Sequence, residues 1–198
     1  MAGKWTMILM LPLVAAVIVS CGQAAPLKVS DAAPPWAGIP GIDDKEHALA
    51  DCKKAKAVVL VFTCNHCPVA VAYEDRLVAL QKDYASKGVQ VVAVCVNDLD
   101  QDRLPAMKKR AAEKKFNFPY IYDETQKIGR DYGATCTPHV FLLDQKRKIA
   151  YMGAIDDHNN PKKVEEHYLR DAIDAVLAGK EPPKPVTQQR GCGIKWKP

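Results

Sequence analysis

The chain has 198 residues, 48% of them hydrophobic and 26% charged, with a formal net charge of +5. This composition supports one domain with extensions around a sizeable core and argues against general disorder. The positive excess is too small to mark a nucleic-acid binder: the basic stretch Lys108 to Lys115 is interrupted by Glu113 and reads as the solvated face of a helix.

In chain order, Lys4 precedes an uncharged run from Met7 to Val19, long enough for a signal-peptide core but short of the roughly 20 residues a spanning helix needs. Ile18-Val19-Ser20-Cys21 closes the run and resembles a bacterial lipobox. Residues 1–20 are therefore expected to be a lipoprotein signal, with Cys21 lipidated and holding the protein to a membrane on the periplasmic side. The alternative is an ordinary cut near Ala24 and Ala25, with Cys21 lost. Export also permits disulfides. Residues 21–40, rich in Ala, Pro and Gly, read as a flexible tether. A domain over 41–180 and a C-terminal tail over 181–198 follow.

Gly38 to Asp44 has turn chemistry, and His47 to Lys54 reads as a short strand and a helical turn. Val58 to Thr63 is a continuous apolar run, as a central strand covered on both faces requires. Pro68 opens a helix in which Tyr73, Leu77, Leu80 and Tyr84 recur at helical spacing up to Gly88. Val89 to Val96 is a second buried strand, parallel to the first across that helix. Asn97 to Arg103 reads as loop, Leu104 to Lys115 as helix, Pro119 to Tyr122 as a short edge strand and Thr125 to Tyr132 as helix, stopped by Gly133. Val140 to Leu143 and Lys148 to Met152 form a hairpin across Asp144-Gln145-Lys146-Arg147. Asn160 and Pro161 are expected to cap a last helix carrying Val164, Tyr168, Ala172 and Val176 on one face until Gly179.

Cys64-Asn65-His66-Cys67 joins the first core strand to its helix. The unpaired N–H groups and positive dipole end of a helix's first turn favour a thiolate, lowering a cysteine pKa from about 8.5 to between roughly 3.5 and 7.5. Cys64 is therefore expected to be the attacking sulfur. Cys67, one turn later, would resolve the mixed disulfide. His66, as an imidazolium, would further favour the thiolate and make the disulfide easier to reduce. This chemistry needs no organic cofactor. A structural zinc site would call for a second close pair of ligands, which the sequence lacks. A copper-binding redox chaperone using Cys64, Cys67, His66 and His139 is the competing binding-protein reading, with tuning or solvated histidines as its bland counterpart. Cys95 reads as an inert core thiol. Glu74 is expected to face water, and Asp156-Asp157-His158 to be loop.

These elements, with Cys64-Asn65-His66-Cys67 after the first core strand and Thr137-Pro138 before the hairpin, resemble the thioredoxin superfamily. They most resemble its redoxin branch, the alkyl hydroperoxide reductase and thiol-specific antioxidant family. Thr63 to Val69 and Gly191 to Trp196 look like a peroxiredoxin-like group of bacterial thioredoxin-family proteins. The resemblance implies an α/β thioredoxin-like fold, a central mixed sheet flanked by helices with an N-terminal extension and a C-terminal tail. It also implies a thiol-disulfide oxidoreductase acting on protein disulfides or dithiols with a thiol redox partner protein, or alternatively a thiol-dependent peroxidase consuming hydroperoxides. Pro138 matches the cis-proline of this fold, and Thr137 would offer its backbone to a substrate peptide. Cys67 matches by position both the resolving cysteine of thioredoxins and the peroxidatic cysteine of peroxiredoxins. The acid that thioredoxins carry in the preceding strand has no counterpart in Val58 to Phe62. The threonine and proline with which peroxiredoxins activate peroxide are replaced by Cys64 and Leu60. In this fold Cys136 would lie at the active-site edge and Cys192 in a tail folded over it, which offers a Cys136–Cys192 disulfide or relay, with two reduced or separately paired thiols as the alternative.

Overall fold

The computed structural model describes Met1 and residues 26–198. The signal segment and the lipidation expected at Cys21 lie outside the described residues. No helix among the described residues is long and apolar enough to cross a membrane.

A small hairpin of β1 (Ile39–Pro40) and β2 (Glu46–His47), followed by a 3-10 turn over Leu49–Lys54, leads into the main sheet. Its strands are β3 (Ala57–Phe62), β4 (Val89–Cys95), β5 (Tyr120–Tyr122), β7 (His139–Leu143) and β8 (Ile149–Gly153), in the order β5-β4-β3-β7-β8. β3, β4 and β5 run parallel, while β7 and β8 are antiparallel additions, so the sheet is mixed. β6 (Cys136–Thr137) pairs outside this sheet with β9 (Cys192–Gly193). The helices are α1 (Pro68–Val71), α2 (Glu74–Tyr84), α3 (Leu104–Lys114), α4 (Lys127–Asp131) and α5 (Tyr168–Leu177).

Strand alternation divides the core in two. Val59, Val61, Val91 and Val140 pack on one face with Leu77, Leu80, Met107, Leu169 and Ile173 from the helices. Val58, Leu60, Phe62, Val94 and Phe141 pack on the other with Trp36, Ile128 and Tyr132. Burial on both faces accounts for the unbroken apolar run of β3 and for that of β4 from Val91 to Cys95, because a covered central strand has no polar side.

Three expectations change. The tether does not extend through residues 26–40. Ser30 and Ala33 donate backbone hydrogen bonds to Ile149 and Arg147 (both 2.8 Å), and Trp36 is buried. The helix after Pro68 is two pieces, broken at Ala72 and Tyr73. The last helix begins at Tyr168 rather than at Asn160. The Asn160 side chain caps only a 3-10 turn over Pro161–Lys163, and Asp157 then accepts from the Glu165 amide (3.1 Å), holding the chain extended until α5. Leu169, Ala172 and Ile173 form the buried face of α5, and Val164 lies outside it.

Candidate active site

β3 ends beside β4, where the Thr63 amide donates to the Val94 carbonyl (2.9 Å), so the Cys64 to Cys67 loop lies at the carboxyl ends of two parallel strands. Pro68 occupies the first helical position, which needs no N–H, and this makes Cys67 the extended N-cap of α1. Cys64 precedes the helix instead of opening it. The Thr137–Pro138 peptide is cis. Thr137 meets both sulfurs: its Oγ1 is 3.1 Å from Cys64 Sγ and its carbonyl oxygen 3.2 Å from Cys67 Sγ.

The sulfur of Cys67 is bonded to Cys192, with 5.9 Å between their Cα atoms. Of the two readings of Cys136 and Cys192, the structure has them apart: Cys192 is paired elsewhere and Cys136 is unpaired. In the β6–β9 ladder Thr137 faces Cys192 and Cys136 faces Gly193. Directly opposed residues share a face of a sheet and successive residues alternate, so Cys192 projects with Thr137 toward the cysteine loop and Cys136 projects away. Cys136 stays free and buried, and burial pushes its thiol up.

The electrostatics of Cys64 also reverse the expectation. Its side chain is 2% exposed, and burial above all raises its pKa to about 11. The negative Asp102 adds to this, and hydrogen bonds from Thr137 and the Cys67 and His66 amides only partly offset it. A thiolate at Cys64 would gain those amides but lose water, and the loss is larger.

The residue that sequence reasoning missed is Asp102, which is fully buried. Its Oδ1 accepts from the amides of Asn65 (2.8 Å) and His66 (3.1 Å), while its Oδ2 accepts from Asn97 Nδ2 (3.0 Å) and from His66 Nδ1. Asp102 thus fixes the backbone between the cysteines and holds the His66 ring. The acid absent from the first strand is supplied from the loop after β4. Asp98, Asp100 and Asp102 all stand in this loop, and only the fold shows which one turns inward.

His139 is not part of this site. It stands opposite Phe62 and contacts the Phe141 ring (4.6 Å) on the sheet face away from the cysteines, with Nδ1 lacking a partner. The copper set of Cys64, Cys67, His66 and His139 is therefore not assembled: one member faces elsewhere and Cys67 is already bonded. Cys64, His66 and Asp102 do bring ligand atoms within 4.8 Å of one another, but His66 and Asp102 bond each other directly, which leaves no gap between them for an ion. Glu74, expected in water, is buried and accepts two hydrogen bonds from Arg110 (2.8 and 2.7 Å). Asp156 is likewise buried, accepting from Tyr73 (2.8 Å) and Arg76 (2.5 Å).

Burial lowers the pKa of His139 from 6.5 to about 4. The unfolded chain takes up this proton below pH 6.5 and the native protein only near pH 4, so stability declines as pH falls across that window. The displacement is worth about 3 kcal/mol. His139→Leu is expected to flatten the decline, as read from urea midpoints at pH 7 and pH 4. Equal losses in both proteins would count against it.

The Redoxin family pattern matches residues 28–169. The chain belongs to that family. Among solved structures, it is 40% identical to an uncharacterized conserved protein from Geobacillus kaustophilus, covering 86% of this chain and 93% of that one with a TM-score of 0.80. A hypothetical protein from Sinorhizobium meliloti is 32% identical over 87% of this chain and 97% of its own, with a TM-score of 0.82. A Chlorobium tepidum protein described as a DsbE thiol:disulfide interchange protein is 27% identical over 64% of this chain and 84% of its own, with a TM-score of 0.57. A comparison with curated proteins finds no match. The redoxin is thus an oxidoreductase of the thioredoxin superfamily, with the expected mixed sheet flanked by helices.

Proposed function

We propose that this redoxin is a thiol-disulfide oxidoreductase in which Cys67 carries the partner and Cys64 resolves it, the reverse of the order expected from spacing alone. The observation that supports this is the bond from Cys67, at the N-cap of α1, to a cysteine on a strand paired with Thr137 beside Pro138. A partner's mixed disulfide would need that arrangement. In the reduced protein, Cys67 thiolate attacks one sulfur of a protein disulfide, and the other partner sulfur leaves with the electron pair and takes up a proton. Cys64 then gives up its proton and attacks Cys67. The Cys64–Cys67 disulfide forms as the bond to the partner breaks, leaving the partner reduced. Run backwards, the same steps oxidise a dithiol.

The test is the double variant Cys64→Ser, Cys192→Ser, in which neither sulfur beside Cys67 can release the partner, offered a peptide disulfide. It should accumulate a mixed disulfide on Cys67, visible by mass, whereas a variant that turns over as wild type would refute the assignment. Hydroperoxide consumption is measured alongside, and rapid peroxide turnover with no disulfide exchange would favour the peroxidase.

The same reading places the protein on the periplasmic side of a bacterial membrane, held by lipid on Cys21. The support is the uncharged run from Met7 to Val19 after Lys4 and the lipobox-like Ile18 to Cys21. Cys21→Ser should move the protein from the membrane to the soluble fraction of cells, and continued sedimentation with membranes would rule the anchor out.

A further inference from the structure

We propose that Cys192 is a third redox residue of this site and that its strand is an in-chain stand-in for a partner, released when the disulfide moves from Cys67–Cys192 to Cys64–Cys67. The inference rests on the oxidoreductase reading above and adds what occupies the site between turnovers.

Four observations carry it. β9 takes the pairing edge of Thr137, with Cys192 directly opposite. The approach is too close for any side chain before the cysteine: a Cβ on Gly191 would stand 2.0 Å from the Thr137 carbonyl oxygen. The strand is held at both ends. Upstream, the Thr187 amide donates to Met152 (3.1 Å) and its hydroxyl bonds Tyr151 (2.6 Å). Downstream, Ile194 is buried, the Lys195 amide donates to Asn97 Oδ1 (2.8 Å), and the Lys197 amide donates to Gln126 (2.8 Å). Finally, Asn97 also holds Asp102, so the seat of the tail and the cysteine loop share one side chain. Residues 188–193 between these anchors are exposed or half-buried and can lift as a short bow.

The exchange needs no outside oxidant or reductant. Cys64 loses its proton to solvent and attacks Cys67 Sγ. The Cys64–Cys67 bond forms as the Cys67–Cys192 bond breaks, and the electron pair leaves on Cys192, which takes up a proton. β9 then frees the Thr137 edge for an extended, cysteine-containing segment of another protein, best accepted with glycine just before its cysteine, as in Gly191-Cys192. The reverse exchange closes the site. Because the bow stays tethered, it returns at an effective concentration of about 1 mM and outcompetes a dilute partner.

The test uses oxidised full-length protein, peptide mass mapping without reduction, and the first-turnover rate with a cysteine peptide at about 0.1 mM. Wild type should yield the Cys67–Cys192 peptide. Gly191→Val and Cys192→Ser should instead yield Cys64–Cys67 and react with the peptide about tenfold faster, as loss of a tethered competitor at that concentration ratio predicts. Cys64→Ser should keep Cys67 and Cys192 locked together. Active protein whose oxidised wild type leaves Cys192 free, or whose Gly191→Val and Cys192→Ser variants react no faster, would overturn this inference alone. Exchange absent from wild type and every variant would overturn the oxidoreductase reading and this inference with it.

Discussion

Cys67→Ser is expected to cut thiol-disulfide exchange about a hundredfold at pH 7. Cys64 would be the remaining sulfur of the cysteine loop, and burial holds its pKa at about 11; Cys192→Ser is included in the same variant so that the freed Cys192 thiol does not contribute. Only about one molecule in 10⁴ then carries the thiolate at neutral pH, whereas the attacking role proposed for Cys67 requires a thiol of the working kind, with a pKa near 7 and about half ionised. The more basic thiolate is intrinsically more nucleophilic. With a Brønsted slope of about 0.45, four pH units of basicity return a factor of roughly 60, leaving a deficit near 10². The measurement is initial exchange with a peptide disulfide for wild type and Cys67→Ser. More than half of the activity surviving would restore Cys64 as the attacking sulfur. The pH profile adds a check: residual exchange in Cys67→Ser should keep rising toward pH 11.

Asp102→Ala should cost about 3 kcal/mol of stability and loosen the cysteine loop. Removing the carboxylate strands the amides of Asn65 and His66 and the Asn97 side chain, and leaves His66 Nδ1 without its hydrogen-bond partner. A buried donor left without its acceptor costs about 1–3 kcal/mol, and a total near 3 kcal/mol follows because His66 is partly exposed and water can reach this end of the cluster. Urea unfolding with an unchanged slope reads the loss directly. A midpoint within about 0.5 kcal/mol of wild type would mean that Asp102 does not hold the loop. Asp102→Asn is the finer probe. Its remaining oxygen can still accept from both loop amides, so the stability loss should be smaller. Removing the negative charge takes away one of the influences that raise Cys64, so its alkylation should titrate at lower pH than in wild type.

Both predictions depend on features that differ in how far the chain alone discloses them. The core strands, the hairpin and the placement of Cys64 and Cys67 between strand and helix were legible because they are local. Unbroken apolar runs of β length, proline at a first helical position and glycine at a helix end each act within a few residues. The family could be recognised for the same reason, through short motifs in register with those elements.

What the tertiary structure decided is which groups meet. Pro68 sets the helix start one residue after Cys67, and the loop before it tucks Cys64 under Thr137, so burial rather than the helix dipole governs that thiol. The parity of a two-residue ladder sends Cys192 to Cys67 and turns Cys136 away. One aspartate of three turns inward to tie the site together, and His139, adjacent to Pro138 in the chain, lies across the sheet from the sulfurs. The sequence by itself determined the elements and the cysteine motif, since propensity and periodicity act along the chain. The sulfur pairing, the raised pKa of Cys64 and the buried acid were decided only by folding, because desolvation and strand register arise between segments tens of residues apart.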